Sequence, residues 1–203
     1  MGMSRIAAAT LPALCLLASP AFAHHMESGQ TPTGALAGLL SGLGHPLIGW
    51  DHALFLLAIG LLAAATGAVR AMPAAFVLTV TVGVAVQYAL PGLPVLPWLA
   101  PATVLAVAAG MLARPGTPQS LWISVIAVAG LIHGQAYAQA IVGAEPTPLA
   151  AYLLGLALVQ TALTVALALL VQRVPGLAAR AGGLLRATGV GMLGLAAVLL
   201  ATS

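Results

Sequence analysis

Long apolar segments separated by short breaks rich in Pro and Gly constrain this chain more than any other feature. Hydrophobic residues make up 62% of the 203 residues, and charged residues make up only 4%. The apolar runs are about twenty residues long, which is the length that an α-helix needs to cross a bilayer. The sequence therefore predicts an all-α integral membrane protein with about six transmembrane helices, and it argues against a soluble fold.

Residues 1–23 have the three parts of a secretory signal peptide. A basic start at Arg5 is followed by an apolar core and by a small-x-small cleavage pattern that ends at Ala23. Cleavage there would leave residues 24–34 as a periplasmic N-terminal tail and residues 35–203 as a six-span transmembrane domain. An uncleaved additional helix is the alternative interpretation.

The first predicted span is too long for one simple helix. Because proline disrupts a helix interior but is tolerated in a first turn, this span is predicted to consist of a half-helix, an interruption near His45-Pro46 and a main helix that begins at Pro46. The six spans are predicted at residues 35–66, 71–90, 97–113, 119–142, 149–172 and 177–201.

The arginines indicate how these spans are oriented. Arg70, Arg114, Arg173 and Arg180 all lie in alternate connections, and the other connections carry no cation. Cytoplasmic loops are enriched in Arg and Lys. The pattern therefore predicts a multi-pass protein with both mature termini outside the cytoplasm, which agrees with an exported N-terminus.

Four ionisable side chains fall inside the predicted spans: His45, Asp51 and His52 in the first and His133 in the fourth. An ionisable group in a bilayer costs about 2.5–3.5 kcal/mol on insertion scales, which makes each of them a candidate functional residue. The predicted topology places all four in the outer half of the membrane. Imidazole and carboxylate ligands suit divalent ions such as Ni²⁺, Co²⁺ or Zn²⁺. Hydrogen bonds that merely join the helices are the alternative interpretation.

The spacing of the first two histidines bears on this metal hypothesis. On an unbroken helix His45 and His52 would lie ~10 Å apart along the axis, too far to share one ion bound at ~2 Å. A break at Gly44-His45-Pro46, or a loosening at Gly49, would let His45 fold back toward His52. Non-helical backbone inside a membrane is tolerated where it faces protein or water, so the break indicates a cavity.

Two further histidines, His24 and His25, would begin the mature chain. Their imidazoles and the α-amine could collect metal ions, and a solvated, mobile tail is the alternative. A second pattern is internal: Gly-Leu-x-His at residues 42–45 recurs at residues 130–133. With three spans in each half, this echo suggests a 3+3 inverted repeat, a plan that many secondary transporters use.

The N-terminal AFAHH, the stretch LLSGLGHPLIGWDHALFLLAIGLLAA and a His-Gly pair in the fourth span together resemble the HupE/UreJ family of bacterial nickel and cobalt permeases. The resemblance covers essentially the whole chain. Its most specific element is His-Pro-x-x-Gly-x-Asp-His, which is matched by His45, Pro46, Gly49, Asp51 and His52.

The fourth span resembles one branch of that family, with the pattern HGxAYxExIVGAE. His133, Gly134, Tyr137 and Glu145 match it, whereas Gln139 stands where that branch has glutamate. This departure removes an anionic ligand and leaves nickel and cobalt undistinguished.

The resemblance implies uptake of Ni²⁺ or Co²⁺ across the inner membrane by secondary transport, through a His/Asp site in the outer half of the bundle. The ion is then the transported substrate, and neither a resident cofactor nor an enzymatic activity is expected. The expected partners are a divalent transition-metal ion and the lipid bilayer. Nucleic acid is not expected because the arginines are scattered singly, and a homo-oligomer is left open. The candidate metal ligands are His45, Asp51, His52, His133, His24 and His25.

Two other classes of function remain open at this point. A membrane haem anchor would use two histidines from different spans as axial ligands. An intramembrane hydrolase would use a water molecule that is activated by a bound metal ion. The sequence lacks a HExxH-type element, which places the hydrolase last.

Overall fold

The structure is a computed structural model that describes residues 31–113 and 116–202. All the regular secondary structure in these two ranges is helical. The predicted signal peptide, His24 and His25 lie outside the described residues. The helices are α1 (Ala35–Ile48), α2 (Trp50–Thr66), α3 (Ala71–Ala89), α4 (Leu99–Ala113), α5 (Gln119–Ala138), α6 (Pro146–Arg173), α7 (Pro175–Ala178) and α8 (Ala181–Thr202).

These helices account for the predicted spans. By length and composition, α3, α5, α6 and α8 are each able to cross a membrane, and α1 and α2 together form a fifth, broken span. The remaining predicted span, which is the third along the chain, corresponds to α4, an apolar helix of 15 residues. The observed helix ends lie within four residues of the predicted span ends throughout. The protein is thus an all-helical, multi-pass membrane protein, as the sequence predicts.

The interruption in the first span lies at Gly49, three residues beyond Pro46. Pro46 is inside the last turn of α1, where its ring and its missing N–H weaken the helix, and α1 ends two residues later. Gly49 is extended (φ −79°, ψ 116°), and α2 begins at Trp50. The axes of the two helices are bent by 80° at this break. The half-helix expected from the sequence is present, but Pro46 lies in its last turn and not in the first turn of the next helix.

Apolar side chains occupy both the inside and the outside of the bundle. Leu78, Leu154 and Val190 are more than half exposed, as expected of side chains that face lipid. The core is closely packed, and its fully buried members include Phe55, Ile59, Phe76, Val107, Ile126 and Met192.

The N-terminal half of the first span, α1, crosses α6 at glycines. A Cβ atom on Gly38 would collide with the backbone carbonyl of Pro148, and one on Gly42 would collide with that of Tyr152. Gly155 lies against the α1 backbone in the same contact. Small residues at such crossings let two helices approach closely, which is a main source of helix association in lipid.

The pair α3 and α5 crosses in the same manner. A Cβ atom on Gly130 would lie 2.8 Å from the carbonyl oxygen of Phe76, and one on Gly134 would collide with the carbonyl of Val80. Gly83 meets Gly134 in turn, since its Cβ position is 2.9 Å from the Gly134 Cα. Each crossing thus has glycines four residues apart on one helix that lie against backbone carbonyls four residues apart on the other.

By this equivalence α1, in the first span, corresponds to α5, the fourth span, and α6, the fifth span, corresponds to α3, the second span. The third and sixth spans, α4 and α8, pack on each other. Exchanging spans 1 and 4 exchanges helices of opposite direction, as a 3+3 inverted repeat does. The contacts pair Gly42 with Gly134, whereas the sequence echo pairs it with Gly130. The register given by the contacts is therefore shifted by four residues from the register of the sequence echo. In the contact register Tyr137 occupies the position equivalent to His45.

Candidate functional site

The bend at Gly49 brings the predicted residues of the first span together. The ring centres of His45 and His52 are 5.7 Å apart and their planes are nearly parallel. The ring of His133, from α5, lies with its centre 5.5 Å from that of His52. Oδ2 of Asp51 is 2.9 Å from Nδ1 of His52. The structure thus gathers all four ionisable residues of the predicted site.

Tyr137 lies at the centre of this group. Its ring centre is 4.5 Å from that of His52, 5.0 Å from that of His45 and 6.2 Å from that of His133. The hydroxyl of Tyr152 donates a hydrogen bond of 2.8 Å to the backbone carbonyl of Tyr137, which fixes α5 against α6. We call His45, Asp51, His52, His133 and Tyr137 the imidazole cluster.

A cavity of about 480 Å³ leads to this cluster from one end of the bundle. Asp51 and His52 form part of its wall, together with Gln135 and Gln139 from the end of α5. The side chain of Asp51 is 24% exposed and that of His52 is 4% exposed, while His133 is completely buried. The carboxylate therefore lies at the entrance and the imidazoles lie behind it.

Asp51 is placed by the break itself. Gly49 has no side chain, and a Cβ atom there would lie 2.8 Å from Oδ1 of Asp51. The approach of Asp51 to Nδ1 of His52 is close but is not aligned as a hydrogen bond. A carboxylate at this distance still favours the tautomer with the proton on Nδ1, which leaves the lone pair of Nε2 of His52 for a metal ion.

His133 is oriented by a residue of α4. The hydroxyl of Thr103 donates to the carbonyl of Ala100 at 2.8 Å, and the same oxygen is 3.0 Å from Nε2 of His133. When the single hydroxyl proton is directed at Ala100, both contacts are satisfied if Nε2 of His133 carries a proton and donates to Thr103. The lone pair then lies on Nδ1, which is buried and has no hydrogen-bond partner among the described residues.

The side chains as they stand do not form a closed coordination sphere. Within residues 31–113 and 116–202, no group of three His, Cys, Asp or Glu side chains is arranged to hold one metal ion. Two imidazoles that bind one ion at ~2.1 Å place their ring centres roughly 5–6 Å apart, and the distances above fall in that range. The rings stack and pack edge to face, so a shared ion would require them to turn about their side-chain torsions.

Two contributors to the cluster carry no sequence signal of their own. Thr103 is one of many small polar residues in the spans, which usually join helices. Phe55 stacks on His133 with ring centres 4.5 Å apart and an interplanar angle of 20°, yet in the sequence it resembles an ordinary core residue. Tyr137 could have been found, because it belongs to the fourth-span pattern HGxAYxExIVGAE.

Gln139, which replaces an expected glutamate, lies in the cavity wall and outside the imidazole cluster. Gln135, one turn earlier, lines the same wall. The departure from the family pattern therefore changes the charge of the entrance and leaves the imidazoles unaltered.

A protein-family comparison covers most of the chain. The family model described as "HupE / UreJ protein" matches residues 12–199. The chain belongs to the HupE/UreJ family. This family is associated with nickel and cobalt transport, and the matched range contains the whole imidazole cluster. Comparisons with curated proteins and with solved structures gave no match.

Proposed function

We propose that this member of the HupE/UreJ family takes up Ni²⁺ or Co²⁺ across the bacterial inner membrane by secondary transport, from a periplasmic entrance at the 480 Å³ cavity. The observation that carries the proposal is the convergence of His45, Asp51, His52 and His133 at an 80° break in a membrane-spanning segment. Broken helices are where secondary transporters place substrate sites.

The order of charge along the entrance supports this proposal. A dication in the cavity first meets the partly exposed carboxylate of Asp51, whose negative charge offsets part of the ion's lost hydration. It then meets the imidazole nitrogens, which are favourable ligands for Ni²⁺ and Co²⁺. Inward movement of a dication is favoured by about 4.6 kcal/mol per 100 mV of membrane potential, twice the value for a single charge.

The protonation states derived from the contacts point the same way. Nε2 of His52 and Nδ1 of His133 each carry a lone pair, because the other nitrogen of each ring faces Asp51 or Thr103. Neutral imidazole is the form that binds metal ions. Two unprotonated nitrogens on neighbouring rings support an ion-binding site. They favour it over the alternative interpretation, in which these residues only form hydrogen bonds that join the helices.

The packing of Tyr137 distinguishes this proposal from a haem anchor. A bis-histidine haem needs the macrocycle between its two axial rings. The Tyr137 ring instead lies within 6.2 Å of all three imidazoles and fills the space between them.

The decisive experiment is uptake of radiolabelled Ni²⁺ and Co²⁺ in cells that express the wild type, Asp51→Asn or His52→Ala at matched membrane levels. We expect both variants to lose roughly 90% or more of the uptake, since one removes the charge at the entrance and the other removes a ligand. Glu145→Gln is the matched control, because it removes a carboxylate from the exposed start of α6, outside the cluster. Full uptake in both cluster variants would refute the proposal.

A further inference from the structure

A buried glutamine lies next to the imidazole cluster without a hydrogen bond. Gln160, on α6, is fully buried, and neither Nε2 nor Oε1 of its side chain has a partner among the described residues. The buried hydroxyl of Tyr137 interacts with this amide, although the contact falls outside hydrogen-bond geometry. Burying polar groups without hydrogen bonds costs free energy. Because a bond between the hydroxyl and one atom of the amide would still leave the other amide atom unpaired, the two groups together point to a ligand or water that completes their hydrogen bonding.

The position of Gln160 relative to the cluster is set by α6. Tyr152, which holds the backbone of Tyr137, is on the same buried face of α6 eight residues earlier. Eight residues correspond to ~12 Å along a helix. The direction from Tyr152 to Gln160 leads toward Arg173, the end that the arginine pattern places in the cytoplasm. Gln160 is therefore on the inward side of the imidazole cluster.

The same face of α6 remains polar one turn further on. Thr164 is buried, and its hydroxyl donates to the backbone carbonyl of Gln160 at 2.6 Å. The buried positions Tyr152, Gln160 and Thr164 thus form a polar line through a helix whose other buried positions are mainly apolar. Tyr152 and Thr164 are hydrogen-bonded to backbone carbonyls, so Gln160 is the member of this line whose side-chain atoms lack a hydrogen-bond partner among the described residues.

We propose that the hydroxyl of Tyr137 and the amide of Gln160 form a second, uncharged site for the divalent ion, directly inward of the imidazole cluster. This inference rests on the proposed transport function. Neutral oxygens are weaker ligands for Ni²⁺ and Co²⁺ than imidazoles, and two of them leave most coordination positions to water. A weak site beside a strong one lets a partly hydrated ion leave the cluster, as passage through several sites requires.

Gln160→Leu tests the second site because it removes both polar atoms at nearly constant size. The full chain in detergent gives the equilibrium affinity for Ni²⁺ by titration calorimetry, and the same protein in proteoliposomes gives the Ni²⁺ flux. We expect the affinity to stay within about threefold of the wild type, since the imidazole cluster is intact, and the flux to fall roughly tenfold or more. Tyr137→Phe, which removes one polar atom, should lower the flux by a smaller factor.

Gln160→Glu supplies a change of opposite sign. A carboxylate at this position should tighten Ni²⁺ binding about tenfold and lower the flux, because release from the inner site becomes slow. The matched control is Gln172→Leu, the same substitution near the exposed end of α6, where Gln172 bonds to the carbonyl of Ala64. It should leave the flux at the wild-type value.

The outcomes separate this inference from the proposed function. Wild-type protein that moves neither Ni²⁺ nor Co²⁺ would overturn both. Wild-type flux with an equal flux in Gln160→Leu would overturn the second site alone, as would an affinity that falls in proportion to the flux. If Gln160→Leu does not yield folded protein, Gln160→Met, which keeps the length of the side chain, and Gln160→Glu decide the question by the same two measurements.

Discussion

The two glycine crossings, α1 with α6 and α3 with α5, share their spacing and differ in the chemistry that they support. At the first crossing the chain breaks at Gly49 and presents two imidazoles and a carboxylate. At the second, α5 ends at Ala138, directly after Tyr137, and presents one imidazole and the neutral Tyr137, which occupies the position equivalent to His45. The two halves thus supply one symmetric scaffold and one asymmetric site. Close packing constrains the backbone at both crossings, whereas the side chains proposed to bind the ion can come mainly from one of them.

The largest effect is expected at the glycines that form the two equivalent helix crossings. Gly42→Ala and Gly134→Ala each place a Cβ atom against a backbone carbonyl, and overpacking of this kind costs about 2 kcal/mol. We expect both variants to lower the melting temperature in detergent by roughly 5 °C. Gly194→Ala is the control, because a Cβ atom there would meet nothing within 4 Å. A loss at one crossing and not at the other would contradict their equivalence.

The next prediction removes the chemical difference between the halves. Tyr137→His places a fourth imidazole opposite His45, within reach of the other three rings. We expect Ni²⁺ to bind about tenfold more tightly, equivalent to about 1.4 kcal/mol, and to be released more slowly. Calorimetric titration measures the affinity, and Tyr88→His, outside the cluster, is the matched control. An unchanged affinity would show that Tyr137 does not face the bound ion.

A smaller effect is expected from the residue that orients His133. Thr103→Val deletes the oxygen that accepts from Nε2 of His133, so that Nδ1 no longer holds its lone pair in a fixed direction. A hydrogen bond of this kind contributes about 1 kcal/mol, and the KM for Ni²⁺ uptake should rise about fivefold. Thr103→Ser, which keeps the hydroxyl, should restore the wild-type KM. Failure of that rescue would assign the effect to packing.

The smallest effect is expected at the entrance. Gln139→Glu restores the carboxylate that the family branch carries and adds a negative charge to the cavity wall. We expect KM to fall by about twofold at low ionic strength, and the gain to shrink in roughly 0.5 M salt because exposed charges are screened. Gln119→Glu, at the opposite end of α5, serves as control. A gain that is insensitive to salt would mean that the introduced carboxylate binds the ion directly.

The spans were predictable because each depends on a continuous stretch of sequence. Hydropathy located all six within four residues, and Pro46 indicated an interrupted first span. The sequence left two positions for the break, Gly44-His45-Pro46 and Gly49, since proline weakens a helix without determining where it ends. The break lies at Gly49, where a Cβ atom would lie 2.8 Å from Oδ1 of Asp51.

The site was predictable in its ionisable members and not in its neutral ones. An ionisable residue inside a membrane is conspicuous in any sequence, which identified His45, Asp51, His52 and His133. Thr103 contacts His133 from another helix and Gln160 lies beside the cluster on α6, and both residue types are common in membrane spans for ordinary packing. The register of the repeat could not be predicted for a related reason. It is determined by backbone contacts between helices, whereas the Gly-Leu-x-His match in the sequence aligns positions that differ from this register by four residues.

The shortness of α4 has a consequence for the membrane around the protein. Its 15 residues span ~22 Å, about 8 Å less than a typical hydrocarbon layer. Lipid beside a short apolar helix thins to match it, and Thr103 places this helix next to His133. Where the bilayer thins beside α4, the transmembrane voltage would drop over a shorter distance near the imidazoles, and the local electric field available to the proposed movement of a dication would be stronger there.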